Sequence, residues 1–337
     1  MTRNAVEFDQ VCIVFGDHPE RALPLMDAGL DRGPIKTETG QVLGVHDCSL
    51  SVAEGEILVL MGLSGSGKST LLRAVNALNP VCRGEVRLRQ GDRMINVTGC
   101  GARNLREIRL RTVAMVFQQF GLLPWRSVRE NVGLGLELAG LPMAERRARV
   151  DQHLDTVGLS EWADRKVGEL SGGMQQRVGL ARAFATEAPV LLMDEPFSAL
   201  DPLIRARLQD ELLDLQSRTG RTIIFVSHDL DEAFKLGNRI ALMEGGRIVQ
   251  IGTARQIIAN PVNEYVADFV AHMNPLAVLT AEDVAQTGEA SGTPLPRDLP
   301  LRAVMEHLSD HDALPLEGGG QVTRKAVLSR LARPAGG

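Results

Sequence analysis

The chain has 337 residues, 44% of them hydrophobic and 23% charged, which is ordinary for a globular protein and excludes disorder as its main state. A formal net charge of −5 at pH 7 argues against a general nucleic-acid-binding function. The longest apolar runs, 57–63 and 190–193, are far shorter than the roughly 20 residues that cross a bilayer, and MTRNAVEFDQ at the start has no apolar signal core. We therefore expect a soluble protein that works in the cytosol.

The first part of the chain is predicted to be a strand followed by an inserted excursion. Residues 16–44 contain Pro19, Pro24 and Pro34 together with several glycines, a composition that favours loops. We expect at most one short helix there.

From about residue 45 to 270, short runs of Val, Ile and Leu alternate with longer helical patterns. This alternation predicts an α/β domain with a largely parallel sheet. The predicted strands are 57–61, 113–117, 190–194 and 222–227. Helices are predicted to begin after Gly67, near Val128, near Ala144, after Ser171 and at Asp201, where Pro202 suits the first turn. Two alternating runs around Gly245 and Gly246 predict a hairpin over 239–252.

The composition changes after about residue 272. TGEASGTPLPRDLP (287–300) is typical of a linker, and RAVMEHL (302–308) and RKAVLSRL (324–331) predict two short helices. The predicted organisation is therefore an N-terminal strand and insertion (1–44), a central domain (45–272), and a linker with a small C-terminal appendage (273–337).

A phosphate-binding loop is predicted at GLSGSGKS (62–69). The segment follows a predicted strand and opens a predicted helix, so it matches G-x-x-x-x-G-K-[ST] in the context that such a loop requires. Glycines let backbone amides turn inward around the β- and γ-phosphates, Lys68 adds a positive charge, and the Ser69 hydroxyl is a ligand for Mg²⁺. The predicted nucleotide-binding residues of this segment are Gly62, Ser64, Gly65, Gly67, Lys68, Ser69 and Thr70.

Two carboxylates end the predicted strand VLLMDEP (190–196). Acids at the end of an apolar strand are costly unless they act on a ligand, and ligands bind at the carboxyl edge of a parallel sheet. We interpret Asp194 as the residue that holds Mg²⁺, directly or through water, and Glu195 as the general base aimed at the γ-phosphate. A helix N-cap followed by a solvated glutamate is the alternative that the motif alone leaves open.

Three further side chains are candidates for the same site. His228 ends the next strand and should emerge beside Glu195 to touch the γ-phosphate, although a single histidine after a strand is more typical of a core residue. Gln118 ends another strand and is a candidate for contact with Mg²⁺ and the attacking water, with a bland surface residue as the alternative. Phe15 either stacks on adenine or is a plain core phenylalanine.

LSGGMQQRVGLARA (170–183) has the layout of a second anion-binding loop. Two glycines follow a serine and lead into helix-forming residues, so the amides at the helix start offer a positive dipole end. Taken alone, a glycine turn without a ligand is the favoured interpretation.

Together, GLSGSGKST, Gln118, LSGGMQQ, VLLMDEP, SALD (198–201) and His228 occur in the order and spacing of an ATP-binding cassette ATPase, and residues 5–270 resemble the nucleotide-binding subunit of an ABC transporter. The resemblance implies a P-loop NTPase fold with a RecA-like core, an antiparallel β subdomain and a helical subdomain at about 119–170. It also implies ATP and Mg²⁺ as cofactors, the ion being held by Ser69, Gln118 and Asp194.

The same resemblance implies that the second glycine segment binds nucleotide held by a second copy of the chain. Two copies of the chain form a head-to-tail dimer, in which Asp201 couples the two nucleotide sites. The residues implied to contact ATP held by the other copy are Ser171, Gly172, Gly173 and Gln175.

Longer stretches narrow the resemblance. The excursion, FGLLPWRSVRENVGLGLELAG (120–140) and SALDPLIRARLQDELLDLQ (198–216) are similar to ATPases of bacterial quaternary-amine importers, the glycine betaine, proline and choline group, and FVAHMNPLAVL (269–279) resembles the choline branch. This implies a peripheral ATPase on the cytoplasmic face of the bacterial inner membrane, bound to two permease subunits and served by a periplasmic or surface binding protein, with no nucleic-acid partner. An importer for another small solute and a non-transport ABC ATPase stay open as alternatives.

Two regions have two interpretations each. The lobe at 119–170 is implied to receive a short permease helix, with Trp125 exposed for docking, but Trp125 packed in the lobe's own core is the alternative. Many members of the group end in two CBS modules, whereas 301–331 resembles at most one shortened module. We therefore expect no inherited osmosensing, and the tail is either a dimer contact or an inert appendage.

Overall fold

The computed structural model describes residues 3–271, 276 and 278–332. Its strands are β1 (Asn4–Phe15), β2 (Val42–Ala53), β3 (Ile57–Met61), β4 (Arg83–Gln90), β5 (Arg93–Asn96), β6 (Val113–Val116), β7 (Val190–Asp194), β8 (Thr222–Val226), β9 (Arg239–Glu244), β10 (Arg247–Gly252), β11 (Ala313–Pro315) and β12 (Gln321–Thr323). Its α-helices are α1 (Leu23–Asp27), α2 (Arg32–Thr39), α3 (Lys68–Leu72), α4 (Ala102–Glu107), α5 (Val128–Val132), α6 (Leu134–Leu138), α7 (Met143–Thr156), α8 (Gly172–Ala185), α9 (Pro202–Thr219), α10 (Leu230–Leu236), α11 (Ala254–Ala259), α12 (Glu264–Val270), α13 (Leu301–His307) and α14 (Arg324–Ala332). None of the described helices combines the length and apolar character that crossing a membrane requires.

The described residues form two units. One contains the residues up to His228 together with Met243–Ile248, and the other contains Asp229–Leu242 and the described residues from Val249 onward. The predicted boundary between residues 272 and 273 lies outside the described residues, as does most of the middle of the phrase at 269–279.

A parallel sheet forms the centre of the first unit. Strands β3, β8, β7 and β6 lie side by side in that order, and every pair among them is parallel. Nearly all of their residues are buried, because a parallel sheet is covered on both faces and therefore reads as continuous apolar runs. The four predicted strands are confirmed, two of them ending one residue earlier than expected.

A second sheet of the first unit is antiparallel. Its order is β2-β1-β4-β5, with Phe15 at the end of β1 opposite Val42 at the start of β2. The predicted antiparallel subdomain is confirmed by this sheet.

The excursion between β1 and β2 contains more helix than expected. The prediction of at most one short helix is wrong, because a 3₁₀ turn (Pro19–Ala22), α1 and α2 follow one another there. The prolines that suggested loops occupy first turns, where the missing N–H costs no helical hydrogen bond. Met26 and Ile35 are buried in a cluster with Val14 and Leu43 of the neighbouring strands.

Helices in the first unit begin where the sequence predicts. Helices α3, α5 and α8 start at Lys68, Val128 and Gly172, and α7 starts one residue before Ala144. Ser171 caps α8, and Asp201 caps α9 ahead of Pro202. Side-chain caps and a first-turn proline are local signals, so these helix starts depend little on the rest of the fold.

The predicted hairpin and the helices of the C-terminal appendage are present. Gly245 and Gly246, both with positive φ, separate β9 from β10, as a two-residue hairpin turn requires. The two predicted helices of the tail are α13 and α14, and the small antiparallel pair β11–β12 between them was not predicted. Buried Leu301, Val304 and Val322 contribute to the apolar interior of the tail.

Candidate nucleotide site

The glycine-rich loop between β3 and α3 needs its glycines for backbone reasons. Gly62, Gly65 and Gly67 have φ of 140°, 78° and 104°, which L side chains rarely adopt. A Cβ on Gly62 would lie 2.1 Å from the carbonyl oxygen of Met243, and a Cβ on Gly67 would lie 2.6 Å from that of Gly44. The loop is therefore shaped by close backbone approach as well as by its turns.

Lys68 is buried at the end of this loop. Its Nζ donates to the carbonyl oxygens of Gly62 at 2.8 Å and Leu63 at 2.9 Å. Burial lowers the pKa of Lys68, while the negative charges of Glu195 and Asp194 act in the opposite direction. A positive charge is thus fixed beside the loop and facing the acidic strand end.

Asp194 connects the loop to the end of β7. The carboxylate is fully buried, and it accepts hydrogen bonds from the Ser69 hydroxyl at 2.6 Å and from the Arg73 guanidinium at 2.8 Å. Two of the three predicted metal-binding groups, the Ser69 hydroxyl and the Asp194 carboxylate, are therefore adjacent. Arg73 was missed by sequence reasoning, because a basic residue on a helix carries no motif of its own.

Glu195 lies one residue beyond β7 in the left-handed backbone region, with φ of 49°. Gln118 donates its side-chain amide to Glu195 Oε2 at 3.0 Å, and His228 Nδ1 lies 3.6 Å from the same oxygen. The carboxyl ends of parallel strands share one edge of the sheet, which explains why three residues far apart in sequence meet here.

One cleft contains most of the predicted nucleotide-binding residues. Its volume is about 720 Å³, and it is lined by Phe15, Ser64, Gly65, Gly67, Lys68, Ser69, Thr70, Gln118, Glu195 and His228, among others. Phe15 is 39% exposed, so the interpretation as a plain core residue is wrong. His228 is likewise exposed rather than part of the core. Arg32 and Lys36 of the excursion also line this cleft, and sequence reasoning missed both.

The second glycine segment does not line that cleft in the described chain. Ser171 and Gly172 are exposed, and the Ser171 hydroxyl accepts a hydrogen bond from the amide of Met174 at 3.4 Å. Gly173 packs closely, since a Cβ there would lie 3.2 Å from the Ala199 carbonyl oxygen. Gln175 donates to the Leu170 and Val167 carbonyls of its own chain.

Gln176 ties the second glycine segment to the acidic strand end. Its side chain is fully buried; Nε2 donates to the Glu195 carbonyl oxygen at 3.2 Å, and Oε1 accepts from the Ala199 amide at 3.0 Å. Asp201, two residues beyond Ala199, caps α9 by accepting from the Ile204 amide at 3.0 Å. Nothing in the sequence distinguishes Gln176 from Gln175, because the distinction depends on which face of α8 is buried.

Trp125 of the helical lobe is 68% exposed. The alternative that places it in the lobe's own core is therefore wrong. Its carbonyl oxygen accepts a hydrogen bond from Lys166 Nζ at 2.8 Å, which fixes the backbone that presents the ring.

A glycine-rich loop with a buried lysine, next to a strand that ends in two carboxylates, defines a P-loop nucleotide hydrolase. The family model for ABC transporters matches residues 45–198. The chain is 48% identical over 281 residues to the glycine betaine/proline betaine transport system ATP-binding protein of Escherichia coli (strain K12), covering 83% of this chain and 69% of that protein. It is 41% identical over 312 residues to the trimethylamine N-oxide transport system ATP-binding protein of Ruegeria pomeroyi, covering 92% and 90% of the two chains.

A solved structure agrees with this relationship. An ATP-binding cassette in a dimeric post-hydrolysis state, bound to ADP and Pi, matches with a TM-score of 0.64 and 30% identity over 74% of this chain and 98% of that chain. This chain belongs to the ABC transporter ATP-binding proteins. It binds and hydrolyses ATP, and the predicted fold class is confirmed.

Proposed function

We propose that this chain is the ATP-hydrolysing subunit of an importer for a quaternary ammonium compound, peripheral to the cytoplasmic face of the bacterial inner membrane. The observation that carries the proposal is the arrangement of Lys68, Asp194 and Glu195 at one edge of the parallel sheet. These residue types in this arrangement suit the binding and hydrolysis of a nucleoside triphosphate. The substrate class is supported by the relatives that transport glycine betaine, proline betaine and trimethylamine N-oxide.

Each residue of the cleft has a task in this proposal. Loop amides and Lys68 bind the phosphates, and the Phe15 ring offers a face to adenine. Glu195 accepts the proton of the attacking water. Gln118 and His228, which share one oxygen of that carboxylate, orient it and reach toward the γ-phosphate.

A Mg²⁺ ion fits the same cleft. The Ser69 hydroxyl and the Asp194 carboxylate offer adjacent hard oxygen ligands, and Gln118 is a third candidate. Mg²⁺ commonly takes one or two protein oxygens together with substrate phosphates and waters. When bound, the ion neutralises charge on the β- and γ-phosphates. Arg73 holds the other carboxylate oxygen of Asp194 and so fixes its orientation.

A second copy of the chain completes the site in this proposal. Ser171, Gly172 and Gly173 of one copy contact the ATP held by the phosphate loop of the other, and Asp201 couples the two sites. The exposure of Ser171 and Gly172 supports this arrangement. Gln175 contributes indirectly, since its amide already holds the Leu170 carbonyl of its own chain.

The permease partner docks on the helical lobe in this proposal. Exposed Trp125 supplies an apolar contact for a short permease helix. Closure of the ATP-bound dimer and its reopening after hydrolysis then switch the permease between outward-facing and inward-facing states. Crosslinks between residues 119–130 and the permease are expected, and a scan of those positions without any crosslink would argue against this docking site.

Among substrates, we propose choline first and glycine betaine or proline next, with a substrate-binding protein delivering the solute to the permease. The choline preference comes from the resemblance at 269–279, and the relatives named above do not distinguish it. The test is uptake of radiolabelled choline and glycine betaine in a strain that lacks this chain, complemented with the wild type or with Lys68→Ala. Only the wild type should restore uptake. Restored uptake of an amino acid or polyamine alone would overturn the substrate class and leave the ATPase intact.

A further inference from the structure

Arg32, at the first turn of α2, reaches from the excursion into the wall of the nucleotide cleft. Its guanidinium donates to the Gly65 carbonyl oxygen of the phosphate loop and to the Gly44 carbonyl oxygen of β2, both at 2.5 Å. Lys36 lies four residues later, on the same side of α2, and lines the same cleft. The excursion is therefore part of the nucleotide site and contacts the loop itself.

The excursion is anchored firmly enough to position these side chains. Met26 and Ile35 are buried against the first two strands. Arg83 of β4 donates to both carboxylate oxygens of Asp27, at 2.5 and 3.0 Å. Apolar burial of Met26 and Ile35, together with the ion pair at the end of α1, holds the excursion that carries α2.

The two Arg32 hydrogen bonds fix the geometry of the loop. Gly65 has φ of 78°, and the amide of Ser66, in the same planar peptide as the Gly65 carbonyl, closes a turn on the Leu63 carbonyl at 3.1 Å. Holding that carbonyl therefore holds the turn. A guanidinium suits this task because its donors form a rigid fork that spans two acceptors, whereas an ammonium group is a point charge.

The cleft gains positive charge from the same segment. Arg32 and Lys36 stand with Lys68 among its lining residues, against the single carboxylate of Glu195 there. A nucleoside triphosphate is a polyanion, so this excess of cations favours its entry.

We propose that Arg32 is a positioning residue for the phosphate loop and that Lys36 adds a nucleotide-facing positive charge, so that ATP affinity depends on the excursion. The inference rests on the proposed function, because it takes this cleft as the ATP site. A loop that is already ordered loses less freedom on binding. The gain is the same for bound ATP and for its transition state, so it lowers Kd and KM and changes kcat little.

The test is ATP binding by calorimetry with the full chain in EDTA, which prevents turnover, followed by steady-state ATPase kinetics with Mg²⁺. Arg32→Ala should raise the Kd for ATP about tenfold, since two hydrogen bonds from a charged donor are lost. It should change kcat by less than about twofold. Arg32→Lys should recover only part of the affinity. Lys36→Ala should raise the Kd about threefold, and that effect should shrink with added salt.

Arg21→Ala is the matched control, because Arg21 is an exposed arginine of the same excursion and does not line the cleft. Its Kd should equal that of the wild type. If Arg32→Ala melts early, Arg32→Gln and Arg32→Lys give the same comparison in milder form. A wild-type Kd in the Arg32 variants, or a fall in kcat without a change in Kd, overturns the inference. Failure of the wild type to bind ATP would instead overturn the proposed function.

Discussion

The two glycine segments that precede helices, 62–69 and 170–173, look alike in sequence but have different surroundings in the folded chain. In the first, Lys68 is buried and the hydroxyl of Ser69 lies against Asp194, so the functional side chains of the segment are held by their own chain. In the second, Ser171 and Gly172 face solvent, and the Ser171 hydroxyl caps its own helix. Within the described residues, one anion-binding segment is complete and the other has no anion site around it.

The two segments differ in how much of an anion site their own chain builds around them. In the proposed site, one chain supplies the phosphate loop, Asp194, Glu195 and the Gln118 amide that bonds to Glu195. The exposed start of α8 at Ser171 has backbone amides that could bind an anion, but this segment does not line the nucleotide cleft of its own chain. The proposed site shared between two copies would account for both segments.

The largest effect is expected when the nucleotide cleft loses Glu195, its proposed base. Glu195→Gln keeps the shape of the side chain and removes proton acceptance, so kcat for ATP hydrolysis should fall by about 10³-fold. ATP binding should persist, and the dimer should accumulate on size-exclusion chromatography with ATP. A variant that hydrolyses ATP at the normal rate would remove Glu195 from the base role.

Ser171→Arg should break the second segment alone. The ATPase rate should fall by about 100-fold, because amides aimed at the partner's γ-phosphate are blocked, while ATP binding by the isolated chain should hardly change. Mixing this variant with Lys68→Ala gives a mixed dimer with one intact loop facing one intact glycine segment. Activity should partly return on mixing. Two inactive variants that stay inactive together would contradict the shared site.

Gln176→Leu should weaken the connection between the second glycine segment and the acidic end of β7. The substitution leaves the Ala199 amide and the Glu195 carbonyl without their buried partner, which costs about 1–3 kcal/mol. We expect about a tenfold fall in kcat together with a lower melting temperature. Gln152→Leu, at an exposed glutamine of α7, is the control for the change in side chain. Equal behaviour of the two variants would show that Gln176 only fills space.

The smallest effect is expected at the base-binding end of the cleft. Phe15→Ala should raise the Kd for ATP about threefold, and Phe15→Trp should restore it, because stacking needs an aromatic face. Competition by GTP and CTP measures whether discrimination among bases changes as well. An unchanged Kd in Phe15→Ala would return Phe15 to a purely structural role.

Local patterns account for the parts of the fold that sequence could predict. The strands around Asp194 and Glu195 are continuous apolar runs, and Ser171 and Asp201 are caps whose effect spans three residues. Their meeting at one edge follows from the rule for parallel sheets. Sequence therefore predicted the phosphate loop, the acidic pair and their neighbours.

The residues that sequence missed act across long separations. Gln176 differs from Gln175 only because it lies on the buried face of α8. The role of Arg73 becomes visible only once the fold places it beside Asp194. Arg32 depends on helices in a segment whose prolines suggested a loop, because the first turn of a helix and a turn accept proline equally well.

Gly62 and Gly65 both sit in left-handed backbone, but a neighbouring group excludes a side chain only at Gly62. A Cβ on Gly62 would collide with the Met243 carbonyl, whereas a Cβ on Gly65 would meet no described atom within 4 Å. In a mutational scan, an inactive Gly62→Ala protein therefore reports a steric conflict inside the apoprotein and says nothing about ligand contact. At Gly65 the same change isolates the backbone penalty, about 1 kcal/mol, and becomes the informative position of the pair.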